Sequence, residues 1–536
     1  MRSRAKASTE SRHAQLAEAL VLVLAAGWTT HLVQKEELQQ ESEQEASLQA
    51  EQRLLQAVTM SHMLFVLHVL GFSAALWSIC WPQSLSKALH ASCRLERDAG
   101  LVVGCVLPPL VLLSRLLAEI YQANYFSSFT FFYAWTSISI GVSVLLKVAV
   151  FGSITSLSVN VLVDVVLLPV VFGLMSPVEA EWRFLLATGG RIVVAAVLAA
   201  GFRLLPRSFT IGEAVLVAQG VGICIYDSVL FTVNRLNEFD FIDLPPNILH
   251  SWLLFDVDRP NYVLALQVGM LGSLLTWNPF AWLFGFLTES NSLLLFLPPR
   301  FTLMGYWAAC LIVLVPLFAL IANHFALRNI VARKLFHFLV VLMLGPASLF
   351  DAPMLSLSYG VALSVFFLME CVRALTLPPF GRSIAEFMRS FIDSREAGRV
   401  ILTHSYLLLG CALPLWLAPS TDAPFELVMN AGVLALGVGD AMGAVVGSSI
   451  GKHKVFGSKT IEGSAAVFIS MLIASMPLHD YLARSVNGEF TQLIFLSAAI
   501  FLTSVLEAAT AQIDNLVLPL FFYTACNLVG CHEVAG

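Results

Sequence analysis

The sequence predicts an all-α fold: a polytopic transmembrane helical bundle of roughly fifteen spans. Three observations predict it. Of the 536 residues 58% are hydrophobic and only 12% charged, about half the charged share of a soluble domain. Mean hydropathy is +0.80. The apolar residues also gather into runs of about 20, the length that crosses the hydrocarbon layer as a helix. Lipid offers no water to unpaired backbone groups, so runs of this length are read as helices.

The first run, near 15–33, follows Arg2, Arg4, Lys6 and Arg12. It reads as an uncleaved anchor, because no small-residue cleavage site precedes the polar stretch behind it. That stretch, Gln34–Gln56, is acidic and rich in helix formers and is expected to be a solvated helix between two spans. Runs near 57–82, 100–121, 128–152, 154–175, 184–206, 211–234 and 262–287 follow with short joins and few ionisable residues. A second set lies near 302–325, 335–350, 355–375, 400–418, 425–450, 463–478, 490–510 and 514–530. Short or adjoining runs are counted as fused or re-entrant, which brings the total to about fifteen. The nine cysteines include no CxxC pair and read as small apolar helix residues. The net charge of −6 acts only locally, and no nucleic-acid partner is expected.

Character changes along the chain. Residues 1–300 read as an N-terminal membrane-spanning region. Residues 301–536 carry polar clusters at nearly every span end and read as a membrane-embedded catalytic region. No soluble domain fits between the spans, so any chemistry must be assembled from loops and helix ends.

Four clusters carry that expectation. Arg333, Lys334 and His337 share a helix face at the head of a span, where they either grip phosphate or flank the membrane as ordinary positive charge. Glu370 and Arg373, three apart, are spaced to pair with each other. The loop behind them holds Asp393 and Glu396 as possible metal or base groups. Glu507 and Asp514 stand seven apart, two helical turns, and are expected on one face. Two buried acids on one face point to function.

The most informative stretch is LGVGDAMGAVVGSSIGKHKVFGSKTIEG, from Leu436 to Gly463. It begins as an apolar span that contains Asp440, and a bare carboxylate in hydrocarbon is a functional hypothesis by default. Gly443, Gly447 and Gly451 lie at small-xxx-small spacing. The loop then offers Ser448, Lys452, Lys454, Gly457, Ser458, Lys459, Thr460 and Glu462. Glycine backbone with lysines makes an anion cradle. An acid at the membrane face beside such a loop suggests a metal-bound polyphosphate handled at the bilayer surface. The loop is not a Walker A motif, because Val446 stands where a glycine is required and His453 where Ser or Thr is required.

Taken together and in order, RKLFHF, FLMECVR, DSREAG, VILTHSYLLLG, LPLWL, LALGVGDAMGAVVGS, SKTIEGS and VLEAATAQIDNLVLPLF resemble the dolichol kinases and the wider polyprenol kinase family of CTP-dependent lipid kinases. The resemblance covers about residues 330–525. It implies transfer of the γ-phosphoryl group of CTP to dolichol in the endoplasmic reticulum membrane, feeding glycosylation. It also implies a CTP-binding segment over Gly447–Glu462. On that reading Lys459, Thr460 and the glycine backbone hold the triphosphate. Mg²⁺ sits on Asp440 with Asp514 or Glu507. Asp440 or Glu507 takes the alcohol proton, and Arg333, Lys334 and His337 neutralise developing charge. Two other classes stay open on the residues alone: a CDP-lipid synthase, which would release pyrophosphate, and a polytopic transporter.

Overall fold

The computed structural model describes residues 2–42, 48–80, 92–94, 99–123, 128–168, 181–238, 287, 299–325, 329–389, 400–418, 426–483 and 489–535. The expected span near 262–287, but for one residue, and the loop carboxylates Asp393 and Glu396 lie outside the described residues. Among the described residues there is no strand, only an isolated antiparallel bridge between Lys454 and Thr460.

In the first region the helices are α1 (Arg2–Ser42), α2 (Leu48–Cys80), α3 (Leu101–Ala123), α4 (Ser128–Leu146), α5 (Leu157–Asn160), α6 (Glu181–Leu204) and α7 (Ile211–Glu238). In the second they are α8 (Pro299–His324), α9 (Asn329–Phe350), α10 (Ala352–Ala374), α11 (Gly381–Arg389), α12 (Thr403–Leu417), α13 (Glu426–Met429), α14 (Ala441–Ser449), α15 (Ile461–Ala483), α16 (Glu489–Ala509) and α17 (Asp514–Ala535). A π-helical stretch, Val433–Asp440, runs directly into α14.

Seven of these helices are long and apolar enough to cross a membrane, and six apolar helices of 10–17 residues accompany them. This is a membrane protein. These seven are counted among the described residues, whereas roughly fifteen spans were expected over the whole chain, one of them (near 262–287) lying outside the described residues but for one. Val433–Ser449 stops at the loop that precedes α15.

Burial sorts the helices. α3 is the axis of the bundle, packed on α2, α4, α7 and α17, and Leu107, Leu110, Leu113 and Leu117 on it are fully buried. α17 answers with Phe521, Phe522 and Tyr523, equally buried. On the outside, α8 leaves Ile312 and Leu320 74% and 65% exposed, as a lipid-facing helix does. α1 also packs on α16 and α17, so one apolar core runs from Ala19 to Cys531. The compositional boundary at residue 300 therefore crosses a shared core.

The π-helical stretch is clamped between α9 and α15. π turns insert a residue into the helical repeat and cluster at functional sites; this one ends on Asp440. Close approach explains the glycine that follows. A Cβ on Gly443 would stand 2.6 Å from Val467 Cγ2, on the stiff β-branched side chain of α15. Gly443→Ala is expected to cost about 1–3 kcal/mol by overpacking, read as a lower unfolding temperature in detergent, while Ala444→Gly, facing the cavity described below, leaves that packing intact.

Candidate active site

Five helix ends converge on one cavity of about 310 Å³, within the range of small-molecule sites. α9 begins there with Arg333, Lys334 and His337, and Asp440 closes the π-helical stretch. α14 presents Gly443, Gly447 and Ser448 as it ends. The loop into α15 adds Ser458, Lys459 and Thr460. Glu507 comes from the last turn of α16 and Asp514 from the first turn of α17.

Two lysine–carboxylate pairs lie inside the cavity. Lys334 Nζ donates to the carboxylate of Asp440, which is 3% exposed. His337 Nδ1 lies 3.1 Å from the carbonyl oxygen of Leu436 and 3.5 Å from Asp440 Oδ2. A carbonyl only accepts, so that nitrogen carries the proton and the ring's other nitrogen is left as an acceptor. Across the cavity, Lys459 Nζ donates to Glu507 Oε1. Burial alone would lower the Lys459 ammonium, but the facing carboxylates of Glu507, Asp514 and Asp440 outweigh it and hold its pKa above the ordinary lysine value.

The loop folds so that only part of it faces inward. Val455 N–H donates to Lys459 O at 3.0 Å, and Ile461 N–H to His453 O at 2.8 Å. Gly457, at φ +58°, makes the turn. This hairpin aims Lys459 and Thr460 into the cavity and leaves Lys452 and Lys454 exposed. Thr460 Oγ1 accepts from Gly463 N–H at 3.2 Å and so caps α15. The positive end of α15 therefore opens on the cavity beside Lys459.

The expected site residues divide accordingly. The structure brings together Asp440, Glu507 and Asp514; Arg333, Lys334 and His337; and Gly447, Ser448, Ser458, Lys459 and Thr460. Gly451, Lys452, Lys454, Gly457 and Glu462 do not line the cavity. Glu462 turns to the loop instead, where its carboxylate meets His453 Nδ1 at 2.7 Å and accepts from the His453 backbone N–H. Glu370 and Arg373 pair in a two-pronged bridge at 2.6 and 2.7 Å, and Glu370 also accepts from Ile401 N–H at 2.6 Å. They brace the approach to α12 away from the cavity.

One expectation needs correction. Glu507 and Asp514 are not two turns apart on one helix. α16 ends at Ala509 and α17 starts at Asp514, with Gln512 N–H donating to Thr510 Oγ1 at 3.2 Å across the break. Both acids reach the cavity because the turn is tight.

Sequence reasoning also missed lining residues. Tyr406 and Asn515 lie inside quoted strings whose charged members drew the attention. Arg94 and Ser208 come from the first region, where an arginine ahead of an apolar run reads as ordinary flanking charge.

Among the described residues no group of three or more His, Cys, Asp or Glu is placed to hold a metal ion. The donor set still suits Mg²⁺, which takes hard oxygen ligands and needs only one or two carboxylates when substrate phosphates and water complete its shell. Asp514 fits that demand best: its Oδ1 accepts from Asn515 N–H at 3.0 Å, whereas Asp440 and Glu507 each already hold a lysine.

Comparison with known proteins gives the same direction. The family model described as dolichol kinase matches residues 192–456, which begins well before the stretch that carries the sequence resemblance. The human dolichol kinase is 33% identical over 358 residues, covering 59% of this chain and 65% of that protein. The Arabidopsis thaliana dolichol kinase EVAN is 35% identical over 257 residues, 46% of this chain and 42% of that protein. The chain thus matches less than two thirds of the length of these two relatives. The Schizosaccharomyces pombe dolichol kinase sec59 is 31% identical over 368 residues, 61% of this chain and 70% of that protein. No solved structure matches. With helix ends converging on paired acids and lysines, and with relatives of this similarity and extent, the chain belongs to the dolichol kinase family.

Proposed function

We propose that the chain is a lipid kinase that transfers the γ-phosphoryl group of CTP to the terminal hydroxyl of dolichol, giving dolichyl phosphate and CDP. The observation that carries the reading is the cavity itself. It brings Lys459 and the capped start of α15 together with three carboxylates, Asp440, Glu507 and Asp514, in a chain of this family. CTP as donor rests on the family resemblance. So do the endoplasmic reticulum as site and glycosylation as the outlet for the product.

Phosphoryl transfer asks for positioning and charge neutralisation more than for covalent chemistry. Lys459, Thr460 and the α15 N-terminus hold the triphosphate, with Ser448, Ser458 and the Gly447 backbone beside it. Arg333, Lys334 and His337 bring positive charge and a proton acceptor to the opposite wall. Mg²⁺ would be held by Asp514 with Asp440, and when bound would offset phosphate charge. A phosphate that draws Lys459 towards itself weakens the Lys459–Glu507 pair. Glu507 then becomes more basic as the donor arrives, which suits it to take the proton of the lipid hydroxyl. Apolar helices around the cavity let the alcohol reach it from the bilayer.

The test is donor identity. The purified chain should phosphorylate dolichol with CTP and Mg²⁺, and excess EDTA should abolish turnover. Equal turnover with ATP would remove the CTP assignment; full activity in EDTA would remove the divalent cation.

A further inference from the structure

Arg94 stands outside the region matched by the family description, and nothing in its neighbourhood resembles a phosphate loop in sequence. In space it lines the same cavity as Lys459 and Lys334. Its position is fixed from several directions. Arg94 N–H donates to Phe209 O at 2.7 Å and Arg207 N–H to Ser92 O at 2.8 Å, so two segments of the first region run side by side. The guanidinium then donates through Nη2 to both Glu213 oxygens, at 2.6 and 2.8 Å, and through Nη1 to Ser208 O at 3.1 Å.

Glu213 is itself held. It accepts from Thr210 N–H at 2.9 Å while Thr210 Oγ1 accepts from Glu213 N–H at 3.3 Å, the reciprocal capping box at the start of α7. Thr210 Oγ1 also donates to Gln512 Oε1 at 2.5 Å, in the turn that joins Glu507 to Asp514. Close backbone packing locks this junction: a Cβ on Gly212 would stand 1.8 Å from Gly100 O. The wall that carries Arg94 is thus fastened to the turn that carries the two acids.

An ion pair that only neutralises two costly charges would account for the Arg94–Glu213 contact. It does not account for which partner faces the ligand space. Glu213 is 1% exposed and absent from the cavity lining, whereas Arg94 is 12% exposed and part of it. The cavity lysines, Lys334 and Lys459, point at carboxylates inside the cavity; the Glu213 carboxylate that orients Arg94 stands behind it, outside the lining. A planar guanidinium whose fork is fixed on Glu213 and Ser208 presents its delocalised positive charge to the cavity in one orientation.

We propose that Arg94 is a phosphate-binding residue of this site, supplied by the N-terminal region and aimed by the α7 capping box. The inference rests on the reading of the cavity as a phosphotransfer site. The phosphate belongs either to the donor nucleotide or to the phosphorylated lipid, and the experiment separates them.

The full chain in detergent is titrated calorimetrically with CTP and with inorganic pyrophosphate, as wild type, Arg94→Ala and Arg94→Lys. The kinase KM for CTP and inhibition by dolichyl phosphate are measured beside unfolding temperature. Arg94→Ala is expected to weaken CTP or dolichyl phosphate binding at least tenfold per folded molecule, and Arg94→Lys by less. Loss confined to CTP and pyrophosphate assigns the donor; loss confined to dolichyl phosphate inhibition assigns the lipid phosphate. Wild type that binds pyrophosphate through Arg94 but transfers nothing sinks the kinase reading and leaves this one. If Arg94→Ala does not fold, Arg94→Lys decides alone, because a lysine cannot hold both Glu213 oxygens and Ser208 O in the plane that orients the charge. Wild-type affinity for all three ligands in a folded variant, with only the unfolding temperature lowered, would overturn the proposal.

Discussion

Asp440→Asn is expected to lower turnover by about 10²–10³-fold, the loss that follows removal of one pre-organised electrostatic contact, while the protein still folds. Asparagine keeps the shape of the side chain and one acceptor oxygen but removes the charge that faces Lys334, His337 and the cavity. Stability separates this role from simple packing. In Lys334→Met the Asp440 carboxylate, 3% exposed, loses its counter-charge, and breaking a buried pair from one side costs about 3–5 kcal/mol. The double variant Asp440→Asn with Lys334→Met should recover most of that stability and none of the turnover. Thermal unfolding in detergent beside specific activity checks both. An Asn variant that is stable and fully active would remove Asp440 from the chemistry.

Much of this was legible in the residues. The all-α membrane class follows from composition, since apolar runs of helix length have few other structures available to them. Asp440 was legible because a carboxylate in an apolar, glycine-lined run has no cheap structural explanation. The start of α9 was legible from three basic residues at helical spacing. Other features were hidden for physical reasons. The π-helical stretch that ends on Asp440 was one of them, because it leaves the apolar pattern unbroken. The loop residues Lys452, Lys454 and Glu462 read as part of the cradle because sequence shows proximity along the chain. The hairpin around Gly457 sorts them by direction instead. Arg94 was hidden for the same reason: its partners lie more than a hundred residues away along the chain, at Ser208 and Glu213.

Lys459→Ala is expected to raise the KM for CTP and to lower kcat together, since a charge on the transferring phosphates acts in both bound states. The combined loss should be about 2–4 kcal/mol in transition-state stabilisation. The pH dependence follows from sign. The Lys459 pKa is raised above the unfolded value of 10.5, so its pairing contributes fully below that value and is lost only as pH rises through the higher folded one. Between about pH 7 and 9, where a lysine with ordinary or raised pKa stays charged, CTP affinity should not fall on its account. A folded Lys459→Ala variant with unchanged kinetics would take the lysine out of the site.

The central claim is that this cavity moves the outermost phosphoryl group of a nucleotide onto a lipid alcohol. The most direct measurement supplies the purified chain with dolichol, Mg²⁺ and CTP labelled either at the γ- or at the α-phosphorus, and follows the label. The account predicts γ-label on the lipid, none from the α-position, and one CDP released for each dolichyl phosphate formed. α-Label on the lipid with release of pyrophosphate, or no turnover of CTP at all by the folded chain, would contradict it.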